Sequence, residues 1–529
     1  KALEHIEWLR PQASTEELHR AGFFQQWKDW YELMVTWQSE LGQVAEVLWA
    51  MEMSRARTLL DQLATAGVDL LAGLSPEEAA PLQKALADAA SQLASLQKEG
   101  NLLREEHDLS PQERFARWEE FIEKARAAQS DYLQLRSKIR GASPAYRLAL
   151  GTYEQPVPLE KLQEWAAKHE ALVLEYFMGG KGSFVLVLPG DKPPEVLKLE
   201  VPSEEASLLG ISPGPLTSKA LEQILLGSQE DKTQKGLLAQ LEETRDWATA
   251  TELLSRLKAL AQVLLPEPCR AALSQGNFRR LVILPEGVLA LLPFEALVLQ
   301  GEKPREVTFL LDVAPPVLYA PSATVLLELE TRHQAPERDW EPVLSIGDCR
   351  YQPAPAAAQE TLLAAASRYR SLGGPLRPLP YAAQEMQHLA ERFAHAGLKV
   401  AWLRGDWATE KNVRYNLPGR KVVHFAVHGL VDQAWGNLFG ALALTPAGAG
   451  AEPANDGYLT LEEIYALRLG GCELVVLSAC HTATGPHQYG EGVWSLARGF
   501  LVAGARRVVA TQWAVPDSPS TAGLVEVFS

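Results

Sequence analysis

The spacing of apolar residues changes near residue 141. Before that point apolar residues recur in three- and four-residue steps, and the first such stripe consists of Trp27, Trp30, Tyr31, Met34 and Trp37. These steps place the stripe on one face of a helix, which favours packing between helices over a ligand groove. Two further helices are predicted from Pro76 to about Lys98 and from Pro111 to about Arg140, because a serine precedes each proline as an N-cap. The N-terminal part is therefore expected to consist of paired antiparallel helices.

From about residue 150 the apolar residues gather in short runs. The runs 171–177 and 183–188 flank the turn sequence MGGKG and predict a β-hairpin. Later runs predict strands at 281–284, 343–346, 399–403, 422–427, 474–477 and 507–512, with helices at 381–395, 409–416 and 492–503. Nearly all-apolar strands separated by helices predict a mostly parallel sheet covered by helices on both faces. In such sheets the chemistry lies beyond the carboxyl ends of the strands.

The distribution of glycine and proline supports this division. Only 5 of the 38 glycines and 4 of the 34 prolines lie within residues 1–140. Because these residue types mark turns, long helices are expected first and shorter elements afterwards. We accordingly predict a helical region over 1–140 and an α/β region after it.

The overall composition narrows the possible functions. The net charge of −16, from 50 basic and 66 acidic residues, repels phosphate backbones and argues against nucleic acid as a direct partner. Four cysteines without a CxxC pair exclude a disulfide scaffold and argue against a structural zinc site, so no metal is expected. No apolar run approaches the ~20 residues that span a bilayer and no signal peptide begins the chain, so we expect a cytoplasmic protein without a membrane partner. Because the sequence lacks an initiator methionine, we expect it to be a fragment of a longer protein.

Reactive side chains follow two of the predicted strands. His428 and Gly429 end the segment HFAVHG, and Cys480 follows the apolar run in LVVLSACHT. If these strands are parallel neighbours, both residues lie at one edge of the sheet, where Cys480 supplies a nucleophile and His428 takes or holds its proton. The backbone N–H groups of Gly429 and Cys480 are candidates for an oxyanion hole. On these residues alone, a structural cysteine is the more common alternative.

Longer motifs around these residues resemble one protein family. The segments HFAVHG, LVVLSACHTATG, GEGVWSLARGFLVAGARRVVATQWAVPD and LPEGVLALLPFEAL together resemble the CHAT domain, over roughly residues 150–529. That family is caspase-like, belongs to the same clan as caspases and separase, and often follows tetratricopeptide (TPR) repeats. The segment LWAMEMSRARTLLDQLA similarly resembles the helix that joins such repeats to the domain.

The resemblance implies a domain organisation and a reaction. It implies a TPR-like helical region over 1–140, an upstream pseudo-caspase half over 141–335 and a catalytic caspase-like half over 336–529. It also implies a Cys–His dyad, with Cys480 as the nucleophile and His428 as the general base, and this chemistry needs no cofactor. CHAT domains usually continue past WAVPD with a helix and further strands, so the catalytic half is expected to be truncated at its C-terminus.

Four further residues are assigned to the site. Asp517, Trp513 and Ser478 are assigned to the substrate pocket, where the carboxylate of Asp517 implies a preference for a basic side chain before the cut. Structural roles are the alternatives for Asp517 and Trp513. Glu491 is expected to order the loop after Cys480, or to cap the helix that follows it.

The other reactive side chains near the motifs have structural interpretations. His424 lies ~13 Å along its strand from His428, so it is expected to be a buried histidine with satisfied hydrogen bonds. His481 is expected to face solvent. Cys472 precedes its strand by two residues and is expected to be inert.

We therefore expect a helical array fused to a cysteine endopeptidase that cleaves a protein substrate. The array is expected to bind a protein or peptide activator that regulates the enzyme. In relatives the triggered cut serves bacterial antiviral defence or cell death, including cleavage of a gasdermin-like protein, and this pathway carries over only by analogy. A catalytically silent scaffold for protein interactions is the main alternative, and a different acyl transfer on the same fold is a third.

Overall fold

The computed structural model describes most of the 529 residues. The described residues are 27–55, 57–65, 70–71, 74–105, 111–143, 145, 155–227, 235–244, 246–274, 278–301, 303–331, 341–351, 376–432, 437–446, 455–488 and 492–528. A set of N-terminal helices is followed by two larger sheets and the helices that cover them. This arrangement confirms the predicted α/β class with a helical N-terminal region.

The N-terminal region is helical wherever it has regular structure among the described residues. Its helices are α1 (Lys28–Glu40), α2 (Val44–Met53), α3 (Arg57–Thr65), α4 (Pro76–Glu105) and α5 (Pro111–Ala142). Between α1 and α2, Gly42 has a φ of +69°, a left-handed conformation that glycine adopts without strain. The helices α4 and α5 have 30 and 32 residues. Each is nearly as long as a whole 34-residue TPR unit, so the TPR assignment stays a prediction.

An upstream sheet occupies the region between residues 155 and 331. Its part of the chain contains the strands β1 (Ala171–Met178), β2 (Ser183–Pro189), β3 (Glu195–Val201), β4 (Gly214–Pro215), β5 (Arg280–Leu284), β6 (Val298–Gln300), β7 (Thr308–Phe309) and β8 (Val317–Tyr319). Six of them form one mixed sheet in the order β4-β3-β2-β1-β5-β8. Strands β1 and β2 pair antiparallel with Met178 opposite Ser183, which confirms the predicted hairpin.

Helices cover both faces of this upstream sheet. They are α6 (Leu159–Lys168), α7 (Ser203–Leu209), α8 (Ser218–Leu226), α9 (Leu237–Glu243), α10 (Thr251–Leu264), α11 (Glu267–Ser274), α12 (Leu310–Val313) and α13 (Ala323–Thr331). Strand β1 is buried along its whole length. A strand that is covered on both faces needs a nearly continuous apolar run, which the sequence shows there apart from Glu175.

A downstream sheet follows from residue 343. Its part of the chain contains the strands β9 (Val343–Cys349), β10 (Val400–Gly405), β11 (Val422–Ala426), β12 (His428–Leu430), β13 (Ala441–Ala443), β14 (Tyr458–Thr460), β15 (Leu474–Ser478), β16 (His487–Gln488), β17 (Gly492–Val493) and β18 (Val508–Val509). Five strands form an all-parallel sheet in the order β10-β9-β11-β15-β18. Strands β12, β13 and β14 form a separate small antiparallel sheet, which the sequence pattern did not predict.

The downstream sheet buries a different set of side chains on each face, because side chains alternate along a strand. Its helices are α14 (Ala382–His395), α15 (Glu410–Asn416), α16 (Leu461–Ile464), α17 (Leu496–Val502) and α18 (Pro519–Phe528). On one face Phe425 packs with Phe500 of α17. On the other face Ala426 packs with Met386 of α14. His424 therefore points toward α14, and that placement matters for the site.

Two predicted elements of the downstream region are much shorter in the structure. The helix expected over 492–503 begins only at Leu496, where the hydroxyl of Ser495 accepts the N–H of Arg498 as an N-cap. Residues 492–493 instead pair with β16. The strand expected over 507–512 is only β18, because just two of its residues pair with β15. In both cases pairing with a distant segment decides the bounds, and local sequence preference does not contain that information.

Helices α1 and α2 form part of the layer that covers the upstream sheet. Tyr31 and Met51 are buried in one cluster with Phe177 of β1. Trp30 and Trp37 are more than half exposed, so the aromatic stripe of α1 packs only in part. The Glu32 carboxylate accepts the backbone N–H groups of residues 180, 181 and 182 in the turn between β1 and β2. The N-terminal helices are thus held to the α/β region, and the predicted boundary at residue 140 stays a prediction.

Arg55, between α2 and α3, also holds the N-terminal helices to the sheet and is more deeply buried than Glu32. Its guanidinium is 2% exposed and donates to the backbone oxygens of Tyr176 and Leu284. It lies 3.7 Å from Glu175 and 3.9 Å from Glu286. Burial raises the pKa of the Glu175 carboxyl well above its ordinary value, and Arg55 acts in the opposite direction. The buried Arg55 guanidinium therefore lies near two carboxyls and hydrogen-bonds to two strands of the sheet.

No helix in the described ranges is both long and apolar enough to cross a membrane.

The anchor yields the first prediction. Arg55→Met should lower the free energy of unfolding by about 3–5 kcal/mol, because it leaves two buried carboxyls without a cation. The loss should be smaller at pH 5 than at pH 8, since burial raises the pKa of the Glu175 carboxyl, and in its protonated form that carboxyl needs no cation. Urea unfolding followed by tryptophan fluorescence measures both values. The matched control is Arg126→Met in the exposed ion pair of α5, which should cost less than about 1 kcal/mol. Equal costs for the two variants would show that Arg55 is not an anchor.

Candidate active site

The site is built on the pairing of two parallel strands. Strands β11 and β15 are neighbours, and Ala426 lies opposite Ser478. The pairing continues one residue further, where the N–H of Val427 donates to the Ser478 carbonyl over 3.3 Å. His428 and Cys480 are each two residues beyond the opposed pair. Since neighbouring strands are ~4.8 Å apart, the two residues leave the sheet side by side at its carboxyl edge.

His428 is held by contacts on both sides of its ring. It begins strand β12, where it lies opposite Ala443. The ring packs against the Tyr351 ring with a centroid distance of 5.0 Å. Its Nε2 lies 2.7 Å from the backbone carbonyl oxygen of Arg377. A carbonyl only accepts, so Nε2 carries the hydrogen and Nδ1 of the neutral ring is the basic nitrogen.

The environment of His428 favours its neutral form. Desolvation lowers the pKa of the ring below its ordinary value and is the largest influence. The Arg377 carbonyl and the Asp517 carboxylate act against it, because both stabilise the protonated ring. A neutral histidine can take a proton from a thiol, which suits the predicted base.

Cys480 differs from the other three cysteines of the chain. It is half-buried, whereas Cys269, Cys349 and Cys472 are buried. Burial raises the pKa of these three thiols to about 12, about 11 and about 12, respectively. At Cys480 the Val515 N–H points at the sulfur over 3.4 Å, and the sulfur lies 3.6 Å from the Val515 carbonyl. Cys480 is therefore the thiol that reagents can reach.

The chain turns sharply directly after Cys480. His481 has a φ of +55°, in the left-handed region that side chains other than glycine rarely adopt. Its N–H donates to the Trp513 carbonyl, and its own carbonyl accepts the Thr484 N–H. The turn fixes the direction in which the strand leaves the cysteine, and strained residues of this kind are common at functional sites.

Gly429 lies directly against the backbone of Cys480. A Cβ atom built at Gly429 would lie 2.2 Å from the Cys480 carbonyl oxygen. Glycine at this position thus lets β12 approach the cysteine. The sequence analysis proposed its N–H as an oxyanion donor, and the structure adds packing against Cys480 as a second reason for glycine at this position.

The remaining predicted site residues that the structure describes lie around this edge. Asp517 is exposed, and its carboxylate accepts the Tyr381 N–H over 3.2 Å. Trp513 is exposed. The Ser478 hydroxyl donates to Glu385 over 3.0 Å. Glu491 lies outside the described residues, and the helix that it was expected to cap has Ser495 as its N-cap. The pocket roles stay predictions.

The comparison with known proteins decides the family. The family model of the CHAT domain matches residues 254–528, slightly more than half of the chain. The chain belongs to the CHAT domain family. This family is caspase-like, and its members are often cysteine peptidases. No curated protein matches the chain.

The CHAT match covers the whole downstream sheet and only part of the upstream one. It begins within α10, so residues 150–253 lie before it although the resemblance was expected to include them. In this CHAT domain, no group of three or more His, Cys, Asp or Glu side chains among the described residues is placed to hold a metal ion.

Sequence reasoning missed three residues in this CHAT domain: Arg377 and Tyr351, which contact His428, and Glu385, which bonds to Ser478. Arg377 acts through its carbonyl, which every residue type has, so its side chain gave no signal. The following Pro378 favours an extended conformation at Arg377 that leaves the carbonyl available, and this was the one usable hint. Tyr351 and Glu385 are far from the motifs in sequence. The expectation for His424 is confirmed, since it is fully buried with both ring nitrogens hydrogen-bonded.

The close approach of Gly429 yields a second prediction. Gly429→Ala should lower the free energy of unfolding by about 1–3 kcal/mol, because the added methyl forces β12 away from Cys480. Gly523→Ala is the matched control, since a methyl there meets nothing within 4 Å and the residue lies in helix α18. That change should stabilise by up to about 1 kcal/mol. Urea titrations measure the free energy of unfolding of both variants. If Gly429→Ala leaves that free energy unchanged, the close contact with Cys480 is refuted.

Proposed function

We propose that this CHAT domain is a cysteine endopeptidase that cleaves a protein substrate. One observation carries the proposal: His428 and Cys480 follow opposed residues of neighbouring strands, and the His428 ring is held through Nε2, which leaves Nδ1 as its basic nitrogen. The half-exposed thiol and the half-buried ring are both available at the carboxyl edge of the sheet. This pairing of a thiol with an imidazole is the arrangement of nucleophile and base that covalent catalysis needs.

The reaction follows from the two groups. His428 Nδ1 takes the thiol proton, and the Cys480 sulfur attacks the peptide carbonyl to form a tetrahedral intermediate. The imidazolium then gives its proton to the leaving amine, and the peptide bond breaks to leave a thioester on Cys480. Water, deprotonated by the same ring, hydrolyses the thioester. The Arg377 carbonyl stabilises the imidazolium through Nε2 during both steps.

The oxyanion of the intermediate needs donors at the same edge. The backbone N–H groups of Gly429 and Cys480 are the candidates, as the sequence indicated. The backbone of Gly429 approaches that of Cys480 closely, so both N–H groups belong to the same side of the site, which supports this assignment. The Val515 N–H is already beside the sulfur and offers a further donor.

The substrate preference is proposed from one exposed charge. Asp517 lies near enough to His428 to stabilise its protonated form. A carboxylate at the open edge attracts a basic side chain of a substrate, with Trp513 as a neighbouring wall. The proposed enzyme therefore prefers lysine or arginine before the cut.

Regulation through the N-terminal helices is proposed from contacts of α3. Leu59, Leu60 and Leu63 of α3 are buried in one cluster with Val502 of α17. The Arg498 Nε at the start of α17 donates to Gln62 Oε1 over 3.1 Å.

A further bond links α17 to the nucleophile. The N–H of Ala497, in the first turn of α17, donates to the Thr482 carbonyl over 3.1 Å. Thr482 is two residues after Cys480. A protein or peptide that binds the helical region can thereby act on the segment that carries the nucleophile.

The biological setting is proposed from the family alone. Relatives with this architecture serve bacterial antiviral defence or cell death, including gasdermin cleavage, and we propose the same kind of role here. All four cysteines are free thiols, which is typical of a reducing compartment, so the cytoplasm is the proposed location.

The third prediction tests the peptidase itself. The protein should cleave members of a peptide library, whereas Cys480→Ala and His428→Ala should reduce kcat/KM by at least about 10³-fold. Because desolvation lowers the pKa of His428, the acid limb of kcat/KM should lie below the ordinary value of about 6.5. Cys472→Ala, which removes a buried thiol, is the matched control and should keep activity.

The outcomes of this experiment separate the alternatives. If the parent protein and Cys480→Ala give identical digests, the peptidase proposal fails and the catalytically silent scaffold is favoured. A thioester that forms but is released to an added amine, without hydrolysis, would indicate a different acyl transfer. Asp517→Asn in the same library should weaken cleavage after lysine and arginine, and an unchanged preference would refute the proposed pocket.

The fourth prediction tests the contact between α3 and α17. Gln62→Ala leaves the buried Arg498 without this acceptor, so α17 should loosen. Hydrogen exchange should then rise in the peptide that contains Thr482 as well as around residue 62. Gln134→Ala on the exposed side of α5 is the control and should leave both peptides unchanged. A rise that is confined to residues 57–65 would contradict the proposed route.

A further inference from the structure

A chain of buried polar side chains lies beneath the dyad, and the proposed reaction does not use it. Ser345 and His424 are completely buried, and Glu385 is 5% exposed. The Ser345 oxygen lies 2.9 Å from His424 Nδ1, and His424 Nε2 lies 2.7 Å from Glu385 Oε1. The Ser478 hydroxyl donates to Glu385 Oε2 over 3.0 Å.

The chemistry of these groups fixes the direction of the hydrogen bonds. A carboxylate only accepts, so the proton of neutral His424 is on Nε2, and Nδ1 accepts from the Ser345 hydroxyl. Glu385 then accepts one bond from His424 and one from Ser478. Both of its oxygens are satisfied, which allows a negative charge to remain under the edge of the sheet.

The positions of these partners relative to the dyad are the central observation. His424 is four residues before His428 on β11, and Ser478 is two residues before Cys480 on β15. One carboxylate, carried by helix α14, therefore connects β11 and β15, the two strands that directly precede the dyad residues.

The start of the same helix also reaches the other side of the site. The Tyr381 N–H, at the N-cap of α14, donates to Asp517, and Asp517 in turn acts on His428. The titratable groups that act together with Glu385 are thus His424 on β11 and Asp517 in the segment after β18.

We propose that Glu385 is a positioning residue for the dyad. It holds β11 and β15 in register beneath the edge of the sheet, directly before the segments that carry His428 and Cys480. Ser478 is then a link in this support, in place of the pocket wall that the sequence suggested. The inference rests on the proposed peptidase function only where activity is the readout.

The test uses a thiol reagent as well as a peptide substrate. Glu385→Gln keeps the shape and alters the bonds to His424 and Ser478, so the pH profile of Cys480 alkylation by iodoacetamide should change, with the rate constant at neutral pH differing at least about twofold. The reason is that the thiol and the imidazole lose the support that holds them beside each other. With a cleavable peptide, kcat should fall about tenfold or more while KM changes little.

Ser478 variants provide a milder form of the same test. Ser478→Ala removes one bond to Glu385 and should lower kcat several-fold, whereas Ser478→Thr keeps a hydroxyl and should restore the rate. The double variant with Glu385→Gln should be no slower than Glu385→Gln alone, because both changes act through one connection.

Controls separate positioning from simple stability. Glu391→Gln, an exposed carboxylate of the same helix, should leave the alkylation profile and the rate unchanged. If Glu385→Gln folds and leaves the alkylation profile unchanged, the proposal is wrong. It is also wrong if the Glu385 and Ser478 variants lose rate only in proportion to their loss of thermal stability. If the parent protein cleaves no peptide, the peptidase function fails, and the alkylation profile still decides the role of Glu385.

Discussion

The parallel pairing of β11 with β15 is the constraint on which the site depends. Ala426 opposes Ser478, and the two reactive residues follow at equal distances. A slip of one residue would turn every side chain of a strand to the opposite face. His424 and Ser478 would then lose Glu385, and Phe425 would leave its apolar cluster. The same register that fills the core thus also aligns the thiol with the imidazole.

Main-chain groups make most of the contacts that hold the reactive side chains. The His428 ring is hydrogen-bonded to the Arg377 carbonyl, and the Cys480 sulfur is hydrogen-bonded to the Val515 backbone. Gly429 packs against the Cys480 carbonyl. Groups of this kind depend on the path of the chain and not on side-chain identity. The site therefore tolerates changes of residue type at Arg377 and Val515 better than any change that moves their backbone.

The sequence predicted the parts of the fold that local patterns determine. Apolar runs located β11 and β15, and the polar residues after them located His428 and Cys480. The small sheet that begins at His428 was missed, because three-residue strands leave almost no periodic signal. Arg55 was also missed, since a lone arginine in a helical segment is usually a solvated surface charge. Glu385 was missed for a similar reason: an acidic residue in the first turn of an amphipathic helix is usually exposed.

The Arg55 anchor has a consequence for synthesis on the ribosome. Its partner carbonyl at Leu284 lies 229 residues further along the chain. At roughly 5–20 residues per second, translation of that interval takes roughly 10–45 seconds. During that time helices α1 and α2 have left the ribosome without β5, the strand that completes the cover over Tyr31 and Met51. The nascent chain therefore carries an apolar helical surface that folding chaperones can recognise until β5 arrives.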